Sequence, residues 1–567
     1  MDEDQFPLLS QHLKPEERGV SSPRFSGISI LVGNPMGSIK ELHKEVFVKI
    51  PISTQLAKNF SRFHNESPDS VLKNELDEDG DFMRMQKALD LLPNVPTLGK
   101  QPSMDPFVNT TPNITGVYET VKTVLLAPVA VVRMLLIGLL LLVGFLNTKV
   151  ALIGWEKGGV LQPWRRKLMG FTRLCARGIL YCFGFYWIRR VGKPACKDVA
   201  PIVVSNHVSF IDPLFYFYEL FPSIVSSKAH DRFYLVGTII RSMQVIPVDK
   251  LSAESRKNAT LEIKRRAASM EFPSVLLFPE GTTTNGKALI AFKQGAFAPG
   301  FPIQPVVIRY PFAHFDISWG DISLCDVLFR MLTQFTNFME VEYLPVIYPS
   351  AREVQNPSEF SDRVRDEMAH ALGVPVTEHT HGDLMLSLHA RRLCLNSPSN
   401  YMVELGRVEK QVLGLRAGAV KIFLEKFAAM NPTSCGTVSL NQFVKWHHMP
   451  KCWMSKKIFD LFDKSGQGFT TFREFVAVMG SITKSKEFKS QMKAAYDACN
   501  LQNSDCISQL ELEKCLKLSM PTISSAYVRA WFSKISQHDD GAISWEDFQV
   551  FLETNPELLP IFMVGTF

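Results

Sequence analysis

His207 and Asp212 lie five residues apart, directly after the apolar run Pro201-Ile-Val-Val-Ser205. A short apolar run of that kind reads as a buried strand, so the pair falls where a strand ends and a helix begins. Across such a turn a carboxylate can accept a hydrogen bond from imidazole Nδ1. That fixes the tautomer and leaves Nε2 as a general base near neutral pH. Asn206 adjoins the base. A second strand-like run, Val275 to Phe278, leads into Pro279-Glu280-Gly281-Thr282-Thr-Thr-Asn-Gly, whose carboxylate, hydroxyls and backbone amides suit a polyol or a phosphate. The third piece, Phe301-Pro-Ile303-Gln-Pro-Val-Val307, is an apolar strand entered through a proline.

Between Ala200 and Ser350, short β-rich runs at Pro201–Ser205, Val245–Val248, Val275–Phe278, Ile303–Tyr310 and Met339–Tyr348 alternate with helical stretches such as Ala253–Met270. That alternation predicts an α/β domain, whose sites gather at the carboxyl ends of strands. Upstream, Val124–Thr148 is apolar except for Arg133 and is long enough to cross a hydrocarbon core of about 30 Å. Pro128 and Arg133 interrupt it, so a re-entrant or interfacial helix pair is the alternative to a clean span. A second apolar, aromatic run, Ile179–Ile188, is bounded by Arg173, Arg177, Arg189 and Arg190, which suits either a helix at a headgroup boundary or a core helix. The flanking arginines stand where anionic headgroups or CoA phosphates would be met. Residues 1–115 are rich in Pro, Ser and charge, including the acidic run Glu75, Asp77, Glu78, Asp79 and Asp81, and read as disordered. Asn59, Asn65, Asn109 and Asn113 each begin an N-x-[ST] sequon, a pattern too common by chance to be read as glycosylation. Whole-chain numbers agree with a globular, unevenly apolar protein: 567 residues, 46% hydrophobic, 21% charged, net charge +6, mean hydropathy +0.03. The charge is too mild to argue for nucleic acid. Ten cysteines without a C-x-x-C pair read as reduced, mostly packed thiols.

Taken in order, His-x4-Asp, Phe-Pro-Glu-Gly-Thr and Pro-Ile-x-Pro-Val resemble the glycerophospholipid acyltransferase superfamily over about residues 125–350. The resemblance implies that His207 deprotonates the free hydroxyl of a lysophospholipid, which attacks the thioester of acyl-CoA. Asp212 would orient His207, Asn206 would support it, and Glu280, Gly281 and Thr282 would meet the acceptor. The family's second motif supplies an arginine where Val-Ile-Pro-Val-Asp249-Lys250 offers lysine, so Lys250 or nearby Arg256 is expected at the acceptor phosphate. No cofactor is implied for catalysis.

Beyond Arg352 the chain is helical, and Gly-containing turns recur. Asp463-Lys-Ser465-Gly-Gln467-Gly468-Phe469-Thr-Thr-Phe-Arg-Glu474 matches an EF-hand loop, with Asp463, Ser465, Gln467, Phe469 and Glu474 at ligand positions. With two carboxylates it is expected to bind Ca²⁺ weakly or serve structurally. Loops 431–442, 500–511 and 536–547 share the register but have lost ligands: the first ends on Gln442, the second has Asp505 where the turn wants Gly, and the third offers Asp540 and ends on Asp547. Glu378-His379-Thr-His381-Gly-Asp383 lacks a further ligand at recognisable spacing and reads as a solvated loop. His447-His448 reads as helix surface and core.

The expectation is therefore an α/β acyltransferase domain with an N-terminal membrane helix segment and an all-α EF-hand-like C-terminal domain. Its divisions are a disordered 1–115, membrane-associated helices at 116–190, the core at 191–350, a helical connector at 351–415, EF-hand-like repeats at 416–555 and a tail at 556–567. Acyltransferase and EF-hand repeats together resemble plant lysophosphatidylethanolamine and animal lysophosphatidylcholine acyltransferases. This implies acyl-CoA and lysophospholipid as substrates and a membrane as partner, in the endoplasmic reticulum, or alternatively the Golgi or late endosome. It also allows a protein partner for the C-terminal domain. The enzyme alternative is lysophosphatidic acid acylation in de novo synthesis. The non-enzyme alternative is an inert membrane-bound calcium sensor, against which the intact His207, Asp212 and Glu280 count.

Overall fold

Leu139 to Leu142 sit in one continuous 35-residue helix, α2 (Val117–Ala151), which carries Pro128 without breaking and is about 52 Å long at 1.5 Å per residue. The computed structural model describes residues 79–567 apart from 94, 97–103, 157, 228–233, 250–251, 321, 413, 503 and 537–540. Preceding α2 is α1 (Asp79–Asp90), and following it is α3 (Pro163–Cys182). Helices α2 and α3 form a hairpin in which small residues allow close approach: a Cβ on Gly144 would lie 3.3 Å from the Thr172 methyl, and one on Gly178 3.0 Å from Leu140. Asn147 Nδ2 donates to the Leu168 carbonyl and Thr172 Oγ1 across the pair. The outer face is lipid-like: Leu135, Leu139, Leu146, Phe171 and Leu174 are exposed.

Arg133, which interrupts the apolar run in sequence, leaves that face. Its guanidinium donates to the carbonyls of Leu332 and Gln334, each at 2.7 Å, and so pins the middle of α2 to the α/β domain. Near the start of the helix, Lys122 donates to Glu119 and to Gln334 at 2.6 Å. Near its end, Phe145 packs on Tyr234 at 5.4 Å. The helix is therefore fastened along its length to one domain.

That domain continues with β1 (Ile188–Val191), β2 (Ile202–Ser205), α4 (Ile211–Glu219), β3 (Ser223–Ser227), α5 (Tyr234–Ser242), β4 (Ile246–Val248), α6 (Ala253–Ala268), β5 (Val275–Leu277), β6 (Ile303–Arg309), α7 (Leu324–Leu332) and β7 (Met339–Tyr343). The seven strands order as β1-β7-β6-β2-β5-β3-β4, parallel except for the antiparallel β6–β7 pair. The central strands pair in register, Ile202 with Val275 on one side and Ile303 on the other. They are predominantly apolar because helices cover both faces.

The aromatic run Ile179–Ile188 is not one helix. It ends α3, turns at Gly184 (φ 91°) and begins β1. Its arginines are structural: Arg173 donates to the carbonyls of Tyr218 and Glu219, Arg177 to those of Phe185 and Tyr186, Arg190 pairs with Glu219 and Arg189 with Glu340. The headgroup role expected for them gives way to this bonding.

After β7 the connector forms α8 (Ala351–Gln355), α9 (Pro357–Leu372), α10 (His381–Arg392) and α11 (Leu405–Gln411). Four helix–loop–helix units follow: α12 (Ala417–Ala429) with α13 (Leu440–His447), α14 (Trp453–Phe462) with α15 (Phe472–Lys484), α16 (Phe488–Cys499) with α17 (Gln509–Ser519), and α18 (Ser525–Ile535) with α19 (Trp545–Thr554). The loops meet in pairs through short antiparallel contacts, Thr437–Ser439 against Phe469–Thr471 and Ile507 against Ile543.

Several expectations change. Part of the lead is structured: Met85, Ala88 and Leu89 of α1 are buried in the C-terminal core, and Asn109 is buried rather than a surface sequon. Asn59, Asn65, Glu75, Asp77, Glu78 and Asp540 lie outside the described residues. The expected tail, 556–567, is core, with Leu558, Leu559, Ile561, Phe562 and Val564 buried. The cysteines are mostly packed, as expected, but not all reduced. Cys499 and Cys515, one at the end of α16 and one within α17, form a disulfide. Cys196, Cys325, Cys394 and Cys435 are exposed. Spacing along one chain does not show which helices are neighbours. The Glu378–Asp383 segment is not solvated. His379 and Asp383 are buried, and Asp383 accepts from the amides of Thr380, Val403 and Leu405.

Candidate active site

His207 follows β2 at its carboxyl end, and Asp212 lies in the first turn of α4. The tight strand-to-helix turn brings them together: His207 Nδ1 lies 2.8 Å from Asp212 Oδ2. The same oxygen accepts from the amides of Val208 and Ser209, at 2.8 and 3.0 Å. Oδ1 accepts from the Tyr310 hydroxyl at the end of β6. The carboxylate is fully buried, and four donors determine its orientation. Burial and the nearby Asp212 push the Tyr310 hydroxyl well above its usual pKa, so it stays a donor. With Nδ1 facing a carboxylate, the imidazole carries its proton there, and Nε2 is the basic nitrogen. Phe278 stacks on the ring at 4.2 Å and 21°, which restricts its rotation. The Val208 and Ser209 amides are taken by Asp212, so they do not serve a developing oxyanion.

Asn206 acts beneath the base. Its side chain donates to the Ile308 carbonyl (3.0 Å) and accepts from the Ile308 amide (2.8 Å), locking the end of β2 to β6.

Glu280 departs from expectation. It is fully buried, with Oε1 accepting from the His207 amide at 2.8 Å, so it positions the base rather than presenting a carboxylate to an acceptor. Burial pushes its carboxyl up to about 8, against the lowering effect of the His207 amide. A neutral Glu280 avoids a second buried anion beside Asp212. Gly281 (φ 70°) follows in a left-handed turn, and Gly281 and Thr282 are half-buried. The loop returns along the base: Thr284 N donates to the His207 carbonyl at 2.9 Å.

Lys250 lies outside the described residues. Arg256 is exposed on α6, which follows the edge strand β4, with β5 and β3 between that strand and β2. Sequence reasoning missed Tyr310, Phe278 and Asn285. Tyr310 and Phe278 each follow an apolar strand immediately, the one signal available for them.

In the Asp463 loop, Oδ1 accepts from the Gln467 amide (2.9 Å) and Oδ2 from the Gly468 amide (2.6 Å). Glu474 caps α15 through the Thr471 amide and hydroxyl. Asp463, Ser465, Gln467, the Phe469 carbonyl and Glu474 form a set of hard oxygen donors that fits a divalent cation such as Ca²⁺. Among the described residues no three His, Cys, Asp or Glu cluster as a metal site. Two sister loops are closed by their own side chains. Gln442 Nε2 donates to the Asn431 carbonyl, and Glu511 Oε1 accepts from Gln502 N.

Comparison with known proteins decides the family. The acyltransferase family model matches residues 192–309. The chain is 48% identical over 470 residues to the lysophospholipid acyltransferase LPEAT2 of Arabidopsis thaliana, covering 82% of this chain and 86% of that protein. It belongs to the lysophospholipid acyltransferases. Mouse lysophosphatidylcholine acyltransferase 2 is 33% identical over 443 residues, covering 76% of this chain and 80% of its own. The human protein of the same name is 31% identical, covering 83% and 87%. A crystal structure of the Thermotoga maritima 1-acyl-sn-glycerophosphate acyltransferase aligns at 15% identity and TM-score 0.31, over 44% of this chain and 96% of that one. As a member of this acyltransferase family, the chain has its His207–Asp212 pair inside the matched domain.

Proposed function

We propose that this enzyme transfers an acyl group from acyl-CoA to the free hydroxyl of a lysophospholipid, lysophosphatidylethanolamine or lysophosphatidylcholine, in phospholipid remodelling. The observation that carries the reading is the buried, four-donor Asp212 aligning His207 at a strand end. His207 Nε2 takes the hydroxyl proton as oxygen attacks the thioester carbonyl. Collapse of the tetrahedral adduct releases CoA thiolate, which the imidazolium protonates. The ester bond forms as the thioester bond breaks, and no cofactor enters. Gly281 and Thr282 meet the acceptor, and its phosphate partner is Lys250 or, in its place, Arg256. The substrates are amphiphiles, and the α2–α3 hairpin offers an apolar face to their bilayer. Because α2 is fastened to the α/β domain at its start, middle and end, we infer that the hairpin lies in one leaflet of the endoplasmic reticulum membrane rather than crossing it.

The four paired helix–loop–helix units support an EF-hand-like domain. There Asp463, Ser465, Gln467, Phe469 and Glu474 would hold one weakly bound Ca²⁺, and the sister loops are structural. The test of the function is His207→Ala in the full chain in vesicles. Loss of acyl transfer by at least about a hundredfold is expected with unfolding unchanged, and wild-type rates with acyl-CoA and lysophospholipid overturn it.

A further inference from the structure

The acceptor loop Gly281–Gly286 has no ladder of its own, so its position depends on the groups its backbone bonds. On the inner side, Thr284 N donates to His207. On the outer side its partner comes from far outside the matched domain. Asn285 N donates to the Pro106 carbonyl at 2.8 Å, and Asn285 Nδ2 to the carbonyls of Asp105 and Val108, both at 2.9 Å. Asn285 Oδ1 accepts from Lys287 N, so the whole carboxamide is engaged.

The strap formed by residues 104–111 is itself built in. Phe107 is buried with Ile290 and Met402 and meets the His379 ring edge-on at 6.3 Å. Asn109 Nδ2 donates to the Asp316 carbonyl, and Thr110 N and Oγ1 donate to the Asp316 carboxylate, at 2.9 and 2.6 Å. A Cβ on Gly320 would lie 2.4 Å from Asn109 N, so the two backbones touch. On the other side, Ser399 donates to Asp105. The strap runs straight on into α2. It thus joins the α2–α3 hairpin to the Gly281–Gly286 loop.

We propose that Asn285 and the 104–111 strap are the positioning element of the acceptor site: they hold Gly281 and Thr282 where a lysophospholipid is received, without touching the acyl donor or the base. This rests on the reading of Gly281–Thr282 as the acceptor mouth. The chemistry at issue is the donor capacity of the Asn285 amide, since two carbonyls converge on it and a carboxylate of the same shape would repel them.

The experiment is steady-state kinetics of the full chain in mixed micelles, varying lysophospholipid and acyl-CoA separately, for Asn285→Ala, Asn285→Asp and Phe107→Leu. Expected are a rise in KM for lysophospholipid of about tenfold or more in both Asn285 variants, kcat within about threefold, and an unchanged KM for acyl-CoA. Asn285→Asp should be at least as impaired as Asn285→Ala, and Phe107→Leu should move the same parameter by less. An unchanged lysophospholipid KM, a parallel change in both KM values and kcat, or an Asn285→Asp whose lysophospholipid KM stays at the wild-type value overturns the proposal. Thr282→Ala separates the underlying reading: if it leaves the lysophospholipid KM unchanged, the acceptor mouth is wrongly placed, whatever Asn285 does.

Discussion

Replacing Glu280 by Gln tests whether the group beneath the base is neutral. The isostere keeps an oxygen to accept from the His207 amide, so the contact at 2.8 Å survives and only the titration is removed. In the fold the carboxyl is pushed up to about 8 from an ordinary 4.5. An acid whose folded pKa lies above its unfolded value stays protonated in the fold while the unfolded chain has released the proton. Stability then falls as pH rises between the two values. At 1.36 kcal/mol per unit, the three units from pH 5 to pH 8 amount to about 4 kcal/mol lost by wild type and not by Glu280→Gln. Every other group titrates in both proteins, so the difference between their stability curves isolates this one. Denaturant unfolding of the detergent-solubilised full chain, followed by tryptophan fluorescence from pH 5 to 9, gives both curves. Glu280→Gln should gain on wild type steadily as pH rises. Parallel curves would mean that Glu280 is ionised in the fold, and the claim that a neutral Glu280 avoids a second buried anion beside Asp212 would fail. Glu280→Ala removes the acceptor as well and should be destabilised at every pH, by about 1–3 kcal/mol for the orphaned amide.

Other outcomes follow from single sites. Gly192→Ala places a Cβ at φ 75°, 2.5 Å from the Tyr343 carbonyl oxygen, and should lower stability by about 2–3 kcal/mol, read as a shifted denaturant midpoint. His447 is buried against Glu557, and burial holds its pKa down near 4 from 6.5. Its neutral form is the folded one, so about 3 kcal/mol is lost as pH falls from 6.5 to 4. Trp531, which donates to the His447 carbonyl, should report that loss as a red-shifted emission absent in His447→Gln. Isothermal titration with Ca²⁺ should give one site of about 10⁻⁴–10⁻³ M that Glu474→Gln abolishes; retention of the site in that variant would remove the assignment of loop 463–474.

What the sequence made legible was whatever local pattern determines. Apolar runs of three to seven residues located β2, β4, β5 and β6 within a residue or two, because a strand covered on both faces has no alternative to continuous hydrophobicity. The runs β1 and β3 escaped. Ile188-Arg-Arg-Val carries charge that the edge position tolerates, and Ser223-Ile-Val-Ser-Ser is too polar to read as buried. The His207–Asp212 pair was visible because both members lie within one turn. Tyr310, which completes the carboxylate's hydrogen bonds, lies 98 residues away, and only the sheet order brings it there.

The two carboxylates of the site show the limit of motif reasoning more sharply. Both are acidic, both follow strands, and a motif assigns each a chemical task. Burial then separates them. Asp212 is buried with four donors and serves as the charged orienter of His207. Glu280 is buried with the His207 amide on Oε1, and burial, with Asp212 beside it, outweighs what that amide, Thr284 and Ile290 contribute, so the cheaper state for it is neutral. The difference lies in the balance between burial and the N–H and O–H groups the fold aims at each: the four on Asp212 come from β6, from the turn after β2 and from His207, whereas at Glu280 burial and the neighbouring Asp212 prevail. The turn residues adjoin the pair in sequence, but no local pattern shows Tyr310. Asn285 follows the same rule. Its carboxamide sits in the motif, yet its meaning depends on carbonyls 177 and 180 residues upstream, in a segment whose composition reads as disordered. Proline, which lowers the hydrophobic score of that segment, also leaves the Pro106 carbonyl on a backbone with few other conformations, a fixed acceptor for the Asn285 amide. Composition measures whether a segment can form a core alone. It cannot show that Phe107 enters a core already formed by residues 290 and 402.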